Sequence, residues 1–147
     1  MPDAPGRFLF YPDTRNFLQR EPPMRILLAD DESRVRSALR LLLEQELGEQ
    51  VVGEAVDGAS LVEIVHQTRP DLLLLDWELP RLVETTVAVL RAILPSLKII
   101  VLSGRPEKIP PPALTASVDA FLSKSDPPDR LLKVLRRLAN KSLSEKL

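Results

Sequence analysis

Short apolar runs alternate with segments of helical periodicity from residue 24 onward. Five runs have the length and apolar character of strands, at residues 24–30, 50–55, 71–76, 98–102 and 119–122. The third contains four consecutive leucines, which is typical of a strand buried on both faces. Between and after these runs, apolar residues recur at helical spacing and predict helices at residues 33–47, 57–68, 83–94, 105–118 and 127–140.

This alternation predicts the α/β class, with five parallel strands in a doubly wound sheet and five helices covering both faces. Right-handed crossover connections restrict the strand order to a few arrangements. In such sheets the ligand site lies beyond the carboxyl ends of the strands. The residues that directly follow each predicted strand are therefore the candidates for function.

Prolines interrupt the pattern in two places. Residues 1–23 contain five prolines and no sustained periodicity, which predicts a poorly ordered N-terminal arm. Its aromatic residues leave a docking role open: Phe8, Phe10, Tyr11 and Phe17. The folded domain is predicted over residues 24–141, followed by a short tail at 142–147. Four further prolines predict a short or distorted fourth helix: Pro106, Pro110, Pro111 and Pro112.

Composition narrows the classes of function. The 147 residues carry a formal net charge of −1, which gives no support for bulk nucleic-acid or membrane-surface binding. The absence of cysteine excludes disulfides, thiolate metal sites and a cysteine nucleophile. No apolar run approaches the roughly 18 residues of a membrane span, and the first residues do not resemble a signal peptide. We therefore expect a cytoplasmic protein.

Polar residues follow four of the predicted strands. The first ends in Asp30-Asp31-Glu32, the third ends in Asp76, the fourth ends in Ser103-Gly104, and Ser123-Lys124 follows the fifth. Three carboxylates brought together at one edge would repel one another and raise one another's pKa. A divalent cation relieves that repulsion, and oxygen ligands without His or Cys favour Mg²⁺ or Mn²⁺. Lys124 can neutralise the charge that remains.

Taken together, these residues resemble the receiver domain of bacterial two-component response regulators. The resemblance rests on the acidic pair Asp30-Asp31, on Asp76 in a leucine-rich strand followed by Pro80, and on two later positions. These are Ser103 after Ile-Ile-Val-Leu and Lys124 in Phe-Leu-Ser-Lys. The match covers residues 24–140 and implies a flavodoxin-like sheet in the order 2-1-3-4-5.

The resemblance implies a role for each matching residue. Asp76 would be the phosphoacceptor, taking a phosphoryl group from the phosphohistidine of a sensor histidine kinase or phosphotransfer protein. Lys124 would pair with a phosphoryl oxygen, Ser103 would swing in to bond the phosphoryl group, and Phe121 would be the aromatic switch residue.

The implied metal site uses the same carboxylates. Asp31 and Asp76 would bind Mg²⁺ (or Mn²⁺) directly, together with the backbone carbonyl of Glu78. Asp30 would hold the ion through water.

The chain departs from the family pattern in two loops. Receivers usually carry a glycine soon after the position of Pro80, but residues 81–84 are Arg-Leu-Val-Glu. Near the fifth strand, Ser117-Val118 replaces the usual Gly-Ala. The acceptor chemistry therefore matches the family, while a different output surface is expected around the fourth helix.

Three functions are compatible with these residues. The leading one is a single-domain receiver that is not an enzyme, because only seven residues follow Asn140. It would act on a separate output protein, without direct nucleic-acid or membrane contact. It could also pair with a second copy through the face formed by the fourth helix, fifth strand and fifth helix. The alternatives are a phosphorylation-independent interaction module on the same fold, and a metal-dependent phosphatase with Glu78 as its second acid.

Overall fold

The computed structural model describes residues 22–105 and 110–146, so most of the predicted arm lies outside the described residues. The strands are β1 (Arg25–Ala29), β2 (Gln50–Ala55), β3 (Leu72–Asp76), β4 (Lys98–Ser103) and β5 (Ala120–Ser123). The helices are α1 (Ser33–Leu41), α2 (Gly58–Thr68), α3 (Thr86–Ile93), α4 (Pro112–Ser117) and α5 (Pro128–Lys146). A π-helical turn, Leu42–Glu46, extends α1.

All the strand pairs are parallel, and the sheet order is β2-β1-β3-β4-β5. This confirms the predicted flavodoxin-like topology. The leucine-rich strand β3 is central, pairing with β1 on one side and β4 on the other. Its four leucines are fully buried, as their continuous apolar run predicts.

Alternate residues of β3 point into two separate apolar layers. Leu73 and Leu75 pack with the layer that contains Leu61 and Val65 of α2 and Leu90 of α3. Leu72 and Leu74 pack with the layer on the other face, to which α5 contributes three leucines: Leu131, Leu135 and Leu138. Both faces of the sheet are therefore covered, and the carboxyl ends of the strands are held on a rigid support.

Several helix ends follow local sequence signals, and others differ from the prediction. The side chain of Asp57 caps α2 by accepting a hydrogen bond from Ser60 N–H at 2.8 Å. Helix α3 begins at Thr86 instead of residue 83, because Val83 N–H donates to the Thr86 hydroxyl and residues 84 and 85 form a turn. Helix α4 has only six residues, which agrees with the prediction of a short helix.

Helix α5 continues to Lys146, beyond its predicted end at residue 140 and into the predicted tail. No glycine or proline occurs in residues 141–146 to end it. Among the described residues, no helix combines the length and apolar character that crossing a membrane would require.

Candidate functional site

The carboxyl ends of β1, β3 and β5 bring three charged side chains into contact. Asp30 follows β1 and is 2% exposed, and Asp76 ends β3 and is 4% exposed. Lys124, directly after β5, places its Nζ 2.5 Å from Asp30 Oδ2 and 3.1 Å from Asp76 Oδ2. One lysine therefore bridges two buried carboxylates, at the edge of the sheet where the sequence predicts the site.

Burial and pairing shift the pKa values of this group. Burial raises the pKa of Asp76 above its ordinary value, and hydrogen bonds from Glu78 N–H and Lys124 offset only part of that effect. Burial alone would lower the pKa of Lys124, but its contacts with Asp30 and Asp76 outweigh it and leave the pKa raised. Lys124 therefore stays charged at neutral pH, as a cation facing both carboxylates.

The two carboxylates differ in how their oxygens are satisfied. Asp76 Oδ1 accepts a hydrogen bond from Glu78 N–H at 2.9 Å, and Oδ2 accepts one from Lys124. Asp30 Oδ1 accepts a hydrogen bond from Glu32 N–H at 2.8 Å. Asp30 Oδ2 is buried and forms the ion pair with Lys124 Nζ at 2.5 Å. That oxygen retains the capacity to accept another positive or donor group.

An acidic cluster lies beside this bridge. One carboxylate oxygen from each of Asp30, Asp31 and Glu32 lies within 4.8 Å of the others. Asp31 and Glu32 are exposed, and Glu32 also lies 3.8 Å from Lys124 Nζ. Asp76 is not part of this tight group. The oxygen-only donor set and the buried Asp30 Oδ2 suit a hard divalent cation such as Mg²⁺. The sequence places Glu32 at the end of this acidic run, but the resemblance implies no role for it.

Ser103 is buried at the end of β4 and is engaged by its own loop. Its hydroxyl donates to the Arg105 carbonyl at 3.0 Å and accepts from Arg105 N–H at 3.2 Å. The Arg105 guanidinium lies 3.7 Å from the Glu78 carboxylate, across the mouth of the site. Arg105 is a residue that sequence reasoning missed. Phe121 is half-buried and packs against the apolar layer that contains α2 and α3.

In the loop after β3, where receivers usually carry a glycine, an arginine adopts a left-handed backbone conformation. Arg81 adopts φ of +60°, the left-handed region in which glycine is usually found. The same loop lies directly against the start of α2, where Gly58 N–H donates to the Pro80 carbonyl at 2.7 Å. A Cβ on Gly58 would lie 2.2 Å from the Arg81 carbonyl oxygen. Only glycine therefore permits this close approach.

Comparison with known proteins identifies the family. The model of the response regulator receiver domain matches residues 26–136. The chain is 34% identical over 113 residues to the transcriptional regulatory protein YhcZ of Bacillus subtilis, covering 75% of this chain and 52% of that protein. It is 33% identical over 124 residues to the nitrate/nitrite response regulator NarL of Escherichia coli, covering 83% and 57%. The chain thus spans about half the length of these curated relatives.

Solved structures give the same result. The REC domain of AraT, a response regulator from Geobacillus stearothermophilus, has a TM-score of 0.74 at 31% identity, covering 84% of this chain and 98% of that one. A LuxR-family two-component response regulator from Aurantimonas has a TM-score of 0.68 at 26% identity, covering 80% and 86%. The family match, the strand order and the charged strand ends agree, and the chain belongs to the receiver domains of two-component response regulators.

Proposed function

We propose that this receiver domain accepts a phosphoryl group on Asp76 and passes the signal on through protein contacts. The observation that carries the proposal is the position of the Asp76 carboxylate. It is fixed at the end of the buried central strand, 3.1 Å from the ammonium group of Lys124. A carboxylate in that setting is a nucleophile on a rigid support, with a cation ready to meet incoming negative charge.

The chemistry needs positioning and charge neutralisation more than covalent assistance. An Asp76 oxygen attacks the phosphorus of a phosphohistidine on a sensor histidine kinase or phosphotransfer protein. The bond from phosphorus to the imidazole nitrogen breaks, and its electron pair stays on that nitrogen. Lys124 then pairs with a phosphoryl oxygen, while Glu78 N–H holds the acceptor carboxylate in place.

The acidic residues would hold a divalent cation. We infer that Asp31, Asp76 and the backbone carbonyl of Glu78 bind Mg²⁺ or Mn²⁺ directly, and that Asp30 does so through water. The burial of the Asp30 carboxylate, close to the carboxylates of Asp31 and Glu32, supports a role for this carboxylate in the site. Bound there, the cation supplies charge neutralisation for the transferring phosphoryl group.

Ser103 and Phe121 would convert phosphorylation into a change of surface. To donate to a phosphoryl group on Asp76, the Ser103 hydroxyl must give up its hydrogen bond to the Arg105 carbonyl. That exchange changes the restraint on Arg105, which lies just after β4, and Phe121 on β5 would follow. A separate output protein that binds one of the two states more tightly would then register the signal.

Incubation with phosphoramidate and Mg²⁺, followed by intact mass measurement, tests the proposal. The wild-type chain should gain one phosphoryl group, and Asp76→Asn should gain none. Asp129→Asn, which removes an exposed aspartate of α5, should behave as the wild type does. An unchanged wild-type mass would refute the proposal. It would favour the phosphorylation-independent interaction module instead.

A further inference from the structure

The main chain of Asp30 is held by a side chain that sequence reasoning did not single out. Arg36, in the first turns of α1, donates from Nη1 to the Asp30 carbonyl oxygen at 2.7 Å. Its Nε donates to Glu54 Oε1 at 2.5 Å. The Arg36 side chain is only 16% exposed, and that of Glu54 is 32% exposed.

The position of Asp30 explains why it needs such a partner. The parallel pairing of β1 with β2 and β3 ends at Ala29, one residue earlier. Asp30 N–H still reaches the Ala55 carbonyl of β2 at 3.0 Å. Its carbonyl lies beyond both ladders, and a buried carbonyl without a donor is costly. The Arg36 guanidinium supplies that donor from the helix.

Glu54 holds the Arg36 guanidinium in place. It lies on β2, in register with Leu28 of β1, and its second oxygen accepts from Arg40 Nη2 at 2.7 Å. Hydrogen bonds from Arg40 and then Arg36 hold the pKa of Glu54 below its ordinary value, against the opposing effect of burial. Glu54 therefore remains a carboxylate at neutral pH. It orients Arg36 and neutralises a positive charge that would otherwise weaken cation binding nearby.

We propose that Arg36, oriented by Glu54, is a positioning residue for the metal-binding acidic cluster. The Asp30 carbonyl belongs to the same peptide group as Asp31 N–H, so fixing this carbonyl restrains the backbone from which both side chains project. Arg36 acts through that peptide and touches neither the cation nor the phosphoryl group. The inference rests on the proposed function, because it assumes that these carboxylates bind a divalent cation.

Arg40 provides a matched control within the same cluster. It lies one helical turn from Arg36 and forms its own ion pair with Glu54 at 2.7 Å. Its described hydrogen bond goes to Glu54, and none goes to Asp30. A substitution of Arg40 therefore disturbs the shared carboxylate and leaves the donor to the Asp30 carbonyl in place.

Titration of the ¹⁵N-labelled full chain with Mg²⁺ alone, followed by NMR, tests the inference without any phosphoryl transfer. In metal-free Arg36→Gln, the Asp31 amide nitrogen should shift upfield, because the preceding carbonyl loses a charged donor. The Mg²⁺ affinity of this variant should fall roughly three- to tenfold, at or below the range known for outer-shell partners of metal ligands. Arg40→Gln should change the affinity less than about twofold. Arg36→Lys should lie between the two, because a single ammonium nitrogen replaces the two guanidinium nitrogens, Nε and Nη1, that contact Glu54 and the Asp30 carbonyl.

The outcomes separate the two claims. A wild-type chain whose amides around residues 30–32 and 76 do not respond to Mg²⁺ would overturn the metal site, and this inference with it. Normal wild-type binding with equal affinities in Arg36→Gln and Arg40→Gln would overturn the inference alone. If Arg36→Gln does not fold, Arg36→Lys decides: an unchanged Asp31 nitrogen shift and an unchanged affinity in that variant would contradict the positioning role.

Discussion

Removal of Lys124 should expose how strongly the two buried carboxylates depend on it. In Lys124→Met, a side chain of similar length replaces the ammonium group that lies 2.5 Å from Asp30 and 3.1 Å from Asp76. Both carboxylate side chains are at most 5% exposed, so water cannot readily take the place of the lysine. We expect a marked loss of stability in the absence of divalent cations.

The expected size follows from the burial of the pair. Breaking a buried ion pair by removing one partner typically costs about 3–5 kcal/mol. Lys124 is itself 16% exposed, which lets some water approach and favours the lower end, about 3 kcal/mol. For a domain of this size, that loss corresponds to a decrease in Tm of roughly 10 °C.

Urea unfolding at neutral pH with a chelator measures this loss directly. Lys133→Met is the matched control, because Lys133 is an exposed lysine of α5, and it should change the free energy of unfolding by less than about 0.5 kcal/mol. The double variant Asp76→Asn, Lys124→Met should recover part of the loss, since one uncompensated carboxylate has gone. Mg²⁺ should stabilise Lys124→Met more than the wild type, because binding to the folded state raises stability by linkage.

The pH dependence provides a second readout. The raised pKa of Lys124 means that its contribution is complete at neutral pH and is lost as the pH rises through that raised value. The stability gap between the wild type and Lys124→Met should therefore narrow only in strongly alkaline solution. A difference in the free energy of unfolding below about 0.5 kcal/mol at neutral pH would refute the reasoning, since an ordinary surface substitution has an effect of that size.

Three other substitutions test the site's supporting structure by denaturant unfolding. Without metal, Asp76→Asn should be more stable than the wild type at neutral pH, and the difference should shrink as the pH falls through the raised pKa of Asp76. Equal stabilities across the pH range would contradict the role assigned to its burial. Gly58→Ala should lower the free energy of unfolding by about 2 kcal/mol, because the added Cβ would displace the Arg81 carbonyl and break the 2.7 Å hydrogen bond from Gly58 N–H to the Pro80 carbonyl. An unchanged free energy of unfolding would contradict this close packing. Arg81→Gly should raise the free energy of unfolding by about 0.5–1 kcal/mol, because glycine adopts the left-handed conformation of this residue without strain. Arg81→Ala, which keeps its Cβ, should not raise it.

Much of the fold could be predicted because its signals are local. The leucine run of β3 predicts a central strand, the alternation of strands and helices predicts a parallel sheet, and a parallel sheet gathers the residues that follow its strands. Asp57 caps the start of α2 with its side chain, and Pro70 follows its end because proline does not continue a helix. The proximity of Asp30, Asp76 and Lys124 could therefore be predicted from the sequence alone.

Two of the contacts that the sequence did not reveal join residues far apart in the chain. Arg36 and Glu54 are separated by 18 positions, and Gly58 meets Pro80 across a loop that the hydrophobic pattern does not specify. The hydrogen bonds that hold the Ser103 hydroxyl depend on the course of its loop, which residue types alone do not determine. Side-chain direction and loop packing are set by the tertiary structure, and these contacts had no counterpart in the periodicity.

The most direct test of the central claim is to locate the phosphoryl group. After phosphorylation with phosphoramidate and Mg²⁺, borohydride reduces an acyl phosphate to the corresponding alcohol, which is homoserine for an aspartate. Peptide mapping by mass spectrometry then identifies the residue changed. We predict reduction at Asp76, in the peptide that contains the leucine run of β3. Reduction at Asp30, Asp31 or Glu32 instead, or at no residue, would contradict the assignment of Asp76 as the phosphoacceptor.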